Sequence, residues 1–453
     1  MSTPAFLERH SAIVSGILLI FFFFFMGTAD AYEERHATRE ILANGITLLH
    51  AERTALPIIT VVVVIKGGSI LESPEKAGLS NLVADLLNEG TTTRSASDIS
   101  EAIEFVGGSL HASGGADFVT VSLSVLKKDI DLGLDLLSDI ILNPAFKAQE
   151  IERQKNIMKN SIIQQNEEPG IVASKAFLKE VFGSHPYGWP VIGTVNSIDA
   201  ITREDIIAFH KSTYVPNNAI VTVAGDIDHK MVRRLLDNYF SGWKQKAARL
   251  PSLPVPEPFD GPRVVKIQKD ITQANIIFGH LGIKISNPDY YAVSVMNFIL
   301  GGGGFSSRLM DIIRDTKGLS YDVHSIFSSQ KYGGNFHITL QTKNRSADTA
   351  IDIILSELKR IRTYPVLDKE LNDAKSYLTG SFPLRIDSNS KMARYLTAVE
   401  YYGLGLDYAS TYKKRIDAVS KDDVLRVAKK YLNTKNYVLV IVAHIEEAAL
   451  TDR

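Results

Sequence analysis

Cysteine is absent from the 453 residues, which excludes disulfides, thiolate metal ligands and a cysteine nucleophile together. Tryptophan occurs twice, and a formal charge of −1 leaves no surplus of either sign. The basic residues form no long run, so nucleic acid is not the expected partner, because its binding rests on a positive footprint. The 11 histidines never pair at helical spacing, the nearest two being His324 and His337. No helix can therefore present two imidazoles to one metal ion.

What is present points to a folded, exported protein. A hydrophobic content of 45% supports sizeable cores, and the length suits two or three domains. Arg9 and His10 lead into ILLIFFFFFM, followed by Ala29-Asp30-Ala31, the layout of a secretory signal peptide over residues 1–31. The apolar run is short for a membrane span, although an uncleaved anchor is the alternative. Removing those residues leaves 49 basic and 49 acidic side chains, a neutral chain destined for the periplasm if the cell has two membranes.

Beyond the leader, short β-rich runs alternate with amphipathic helices. Ile58 to Ile65, IITVVVVI, reads as a buried central strand, and FVTVSLSV from Phe118 as a half-buried one. Between them, GLSNLVADLLNEG at 78–90 has the apolar spacing of a helix whose other face carries Asn81, Ala84, Asp85 and Asn88 to solvent. Ser97 caps a helix to Val106, and helical patterns flank Asn143-Pro144. Residues 247–263 hold five prolines, a stiff connector.

The second half repeats the first. ITREDIIAFHKSTYVPNNAIVTVAGDI from Ile201 aligns with VSKDDVLRVAKKYLNTKNYVLVIVAHI from Val419, pairing Thr202 with Ser420 as helix caps and Asp205 with Asp423 three residues on. Two similar α+β domains, 32–246 and 264–453, follow from this register.

The stretch LGGGGFSSRLMDIIRDTKGLSY opens the second domain's distinctive region. Gly301, Gly302, Gly303 and Gly304 predict a mobile or closely approached loop rather than a helix interior. A helix capped by Ser306 or Ser307 should follow, carrying Arg308 and Arg314 toward solvent or a cleft, with Tyr321 just beyond its end. A phosphate loop is not expected, since the Lys-Ser/Thr pair is missing. Isolated histidines such as His111, His185, His324 and His337 read as ordinary polar residues, and 446–453 as a frayed tail.

Together with NGITLLH, HPYGWPVIGT and YVPNNAIVTVAGDI, these segments give a chain that resembles the pitrilysin/insulinase/mitochondrial-processing-peptidase family of zinc metallopeptidases. The resemblance implies a clam shell of two homologous domains, each a mainly antiparallel sheet with helices packed on it. It also implies an HxxEH zinc motif on the 80–89 helix, two histidines as ligands and a glutamate activating water, plus a more distant glutamate ligand. Here those positions read Asn81, Ala84 and Asp85, and the distal one falls at or beside Asn160 and Ser161. Asp85 and Glu89 offer at most a weak site for a hard cation. The resemblance further implies that Arg314 and Tyr321 support the transition state, with Gly301 to Gly304 and Arg308 holding substrate. No cofactor is expected in this chain. The implied role is a zinc-free subunit whose homologous HxxEH-bearing partner carries zinc, acting on unfolded or short peptides; a scaffold or a peptide-binding protein is the alternative.

Overall fold

Runs of β-branched residues set the frame. In the computed structural model, which describes residues 37–246, 253 and 255–451, they build two sheets. The leader at 1–31 and the linker residues 247–252 and 254 lie outside the described residues.

The first sheet has strands β1 (Thr38–Ile41), β2 (Thr47–Glu52), β3 (Ile58–Lys66), β4 (Ser109–Ser113), β5 (Phe118–Leu126) and β6 (Ala219–Gly225), ordered β1-β2-β6-β3-β5-β4. The second has β7 (Arg263–Gln268), β8 (Gln273–Leu281), β9 (Ser320–Ser329), β10 (Gly334–Lys343) and β11 (Val438–Ala443), ordered β7-β11-β8-β10-β9. Each is antiparallel except for one parallel pair, β2 with β6 and β7 with β11. The repeat is therefore structural: late in each half a capped helix feeds an inner strand of the sheet. Thr202 and Asp205 cap Arg203–Thr213, and Ser420 and Asp423 cap Lys421–Tyr431, through reciprocal bonds of 2.8–3.2 Å.

β6 and β11 are buried along their whole length, which requires cover on both faces. One face is covered by helices of the same half. The other face is covered by exchange. The Pro169–Phe182 helix of the first half packs on β8 and β11, while the Asn389–Tyr402 helix of the second half packs on β6 and β3. Side-chain alternation follows: Leu439, Ile441 and Ala443 face the second half's own helices, and Val438, Val440 and Val442 face the borrowed one with Phe177 and Val181. At the reciprocal seam the Thr222 and Thr397 hydroxyls meet at 2.8 Å, fully buried. Gly279 is a residue this exchange demands, because a Cβ there would stand 2.8 Å from the Phe177 ring and 2.0 Å from the Phe336 carbonyl oxygen.

Three local expectations need correction. The helix at Ala96–Phe105 is capped by Ser95 in a reciprocal box with Asp98, leaving Ser97 to bond Glu101 at 2.9 Å. The Leu79–Leu86 helix stops well short of Gly90. The C-terminal segment forms a turn at Ile445–Ala448 that buries Ala448, and Thr451 bonds Asp348, so it is tied down through residue 451, while 452–453 lie outside the described residues.

Candidate functional site

The glycine run does not form a simple loop. The Tyr290–Asn297 helix widens into a turn at Phe298–Gly302, so Gly301 and Gly302 end a helix instead of following one. Tertiary contact explains why this is tolerated. A Cβ on Gly301 would sit 2.6 Å from the Ser325 hydroxyl on β9, one on Gly302 2.6 Å from the Asn297 amide, and one on Gly303 2.7 Å from the Phe298 carbonyl oxygen. Gly301 is buried and unavailable to a substrate, which corrects its expected binding role; Gly302, Gly303 and Gly304 reach the surface.

Arg308 is also redirected. Its Nε and Nη2 donate to both Glu370 carboxylate oxygens at 2.6 and 2.7 Å, a bidentate pair with the arginine side chain only 9% exposed. It braces the glycine segment against the Asp368–Gly380 helix and does not face a cleft, contrary to the expected substrate contact.

Arg314 and Tyr321 come together. A widened helical turn at Met310–Thr316 buries Leu309, Met310 and Ile313 and leaves Arg314 partly exposed at its end, while β9 begins at Ser320 and presents Tyr321 with 85% exposure. The Arg314 guanidinium lies 5.2 Å from the Tyr321 ring centroid and 4.6 Å from that of Phe305, so it is held between two rings. Among the described residues its one carboxylate contact, to Asp315 at 3.4 Å, is long. Phe305, 70% exposed, was not singled out by sequence; the only hint is a bare aromatic between a glycine run and two serines.

Both residues line a cavity of about 1000 Å³ made by the two halves jointly. Phe177, Trp189 and the 186–191 segment form one wall, and Gln273, Asn275 and His337 stand on the other. His337 bonds the Asn335 side chain at 2.7 Å, and burial lowers its pKa to about 4, so it is neutral at physiological pH. None of the four glycines and none of Asn81, Ala84 and Asp85 lines this cavity.

The Leu79–Leu86 helix is not solvated on its polar face. It packs against Ala148–Glu167, Arg203–Thr213 and β4, with Ala84 fully buried and Asn81 close to Gly114. Asn81 donates to Asp85 at 3.1 Å across one turn. Burial, with Glu89 adding in the same direction, lifts the Asp85 pKa to about 6. Glu89 is engaged by Arg153 and by Gln154. Asn160 and Ser161 lie on the Ala148–Glu167 helix, Asn160 exposed.

The family description "Insulinase (Peptidase family M16)" matches residues 24–195, and "Peptidase M16 inactive domain" matches 200–378. The chain belongs to peptidase family M16. An M16 inactive domain from Pseudomonas fluorescens superposes with a TM-score of 0.85 at 28% identity, over 90% of this chain and 98% of that one. A protease from Helicobacter pylori does so at 0.84 and 23%, over 90% and 99%. An uncharacterized zinc protease of Mycobacterium leprae is 29% identical over 94% of this chain and 96% of its own length. Another from Bacillus subtilis is 27% identical over 78% and 85%. In this M16 chain the word "inactive" attaches to the half that carries Arg314 and Tyr321, whereas the missing ligands are in the other half.

The M16 fold implies zinc at the Leu79–Leu86 helix, and the residues present do not fit it. An amide, a buried methyl and a carboxylate already bonded to that amide stand where two imidazoles and a carboxylate belong. Among the described residues no three His, Asp or Glu side chains converge on a point. Asp85 should also reveal its burial in solution. Its folded pKa of about 6 lies above the ordinary 3.8, so its ionisation costs stability as pH rises through that interval. Asp85→Asn keeps the Asn81 bond and is expected to raise stability by about 2 kcal/mol near pH 7.5, with no gain below about pH 4. Denaturant unfolding at the two pH values measures this; an equal effect at both would mean that Asp85 titrates normally.

Proposed function

We propose that this chain is the zinc-free subunit of a heterodimeric zinc metalloendopeptidase that degrades or processes peptides. A homologous, HxxEH-bearing partner contributes the zinc site, which supplies the attacking water, and this chain contributes Arg314 and Tyr321. The Tyr321 hydroxyl donates to the oxyanion that forms at the scissile carbonyl, and the Arg314 fork binds the peptide backbone beside it. The observation that carries the reading is the Arg314 guanidinium held between Phe305 and an exposed Tyr321, in a chain whose own motif helix offers no ligand set. The leader segment supports an exported, periplasmic setting.

A scaffold or peptide-binding role without proteolysis is favoured by a different observation: Gly301 and Arg308 are spent inside the domain. Mixing the purified chain with an exported M16 homologue bearing intact HxxEH separates the two readings. Formation of a complex on size-exclusion chromatography, with cleavage of an unstructured peptide faster than by the partner alone, is the expected result. A complex without faster cleavage leaves the scaffold role, and cleavage by this chain alone overturns both.

A further inference from the structure

A second cavity, of about 860 Å³, lies in the first half and shares no lining residue with the Arg314 cleft. It sits between the Arg203–Thr213 helix and the segments 141–146 and 242–246. Arg203, Lys211, Lys244 and Lys246 line it, and no aspartate or glutamate does. Among the described residues, none of these four cations is paired with a carboxylate. Arg203 donates only Nε to the Phe146 carbonyl at 2.8 Å, which leaves the rest of its planar fork free for a ligand.

The four cations share one cavity lining, and two of them act on a single ring. His210 donates through Nε2 to the Ile141 carbonyl oxygen at 2.9 Å and stacks on Tyr214 at 4.5 Å; since a carbonyl only accepts, Nε2 carries the proton. Burial lowers the His210 pKa to about 4, and Lys211 and Lys246 push it the same way, so both ammonium groups act on one neutral ring. Arg203, Lys211, Lys244 and Lys246 are all exposed, so they keep their charge at the rim of a concave recess whose walls focus their field on whatever enters.

We infer that this cavity is a binding site for a small polyanion carrying phosphate or carboxylate groups, held by Arg203, Lys211, Lys244 and Lys246. The recess has the size of a small-molecule site, roughly 300–1,000 Å³. The formal charge of −1 over the whole chain argues against an extended polymer as the ligand. The site stands independently of the peptidase-subunit reading.

Calorimetric titration of the full chain at fixed ionic strength tests it, with inorganic pyrophosphate as the phosphate probe and citrate as the carboxylate probe. Saturable binding of one molecule of at least one probe is expected, and the tighter arm names the chemistry. Lys211 and Lys244 are exposed, so the K211Q/K244Q variant keeps the fold and should bind about ten-fold more weakly or worse. K230Q, an exposed lysine outside the cavity, should bind as the parent chain does. The inference is overturned if neither probe saturates by about 10 mM, or if K211Q/K244Q and K230Q bind alike.

Discussion

Tyr321→Phe, assayed in the complex with a zinc-bearing M16 partner, is expected to lower kcat about a hundred-fold while leaving KM nearly unchanged. The size follows from the role: an oxyanion exists only in the transition state, so a donor aimed at it acts on the rate and not on ground-state binding. The substitution is clean because the Tyr321 ring is 85% exposed and makes no core contact that folding depends on. Removing the hydroxyl keeps the ring beside the Arg314 guanidinium at 5.2 Å, so only the donor is lost. Arg314→Ala should differ in kind. It removes what in the proposed role is a group that grips the peptide before and during reaction, so KM is expected to rise along with the fall in kcat. Measuring kcat and KM separately for both variants checks the assignment. Full turnover by Tyr321→Phe in the complex would remove the oxyanion role and leave the scaffold reading.

The sequence made this pair visible but misplaced two of its neighbours, and the reason is tertiary. Arg308 and Arg314 stand on the same short helix, and nothing within that helix says which is buried. The choice is made by Glu370, far along the chain, whose carboxylate captures Arg308. Gly301 reads as a loop residue by propensity, yet it ends a helix because Ser325 on β9 leaves no room for a Cβ. Asp85 reads as solvated because its helix has an apolar face opposite; the cover comes from Ala148–Glu167, whose own pattern does not reveal where it docks. By contrast, the continuous apolar runs of β3 and β6 and the Thr202 and Ser420 caps are local signals, and they located the core strands and the repeat. A run buried on both faces announces two covering layers. It does not announce that one of those layers belongs to the other half.

That exchange gives Phe177 a large expected effect on stability. It belongs by sequence to the first half, yet it is 2% exposed against β8 and β11 of the second, lying over Gly279. Phe177→Ala removes most of a buried aromatic ring from a seam that the flanking strands cannot close, because their backbones are fixed by ladders on both sides. A loss of about 3–5 kcal/mol is expected. If the two halves fold as one unit through the exchanged helices, the loss appears as a lower denaturant midpoint of a single transition, with the slope unchanged. Phe105→Ala is the matching control, since that ring is 92% exposed and should change stability by no more than about 0.5 kcal/mol. Two separate transitions in Phe177→Ala, with only the second half weakened, would show that the borrowed helix stabilises its host sheet without coupling the halves. A loss no larger than that of Phe105→Ala would mean that the helix does not dock on the second sheet at all.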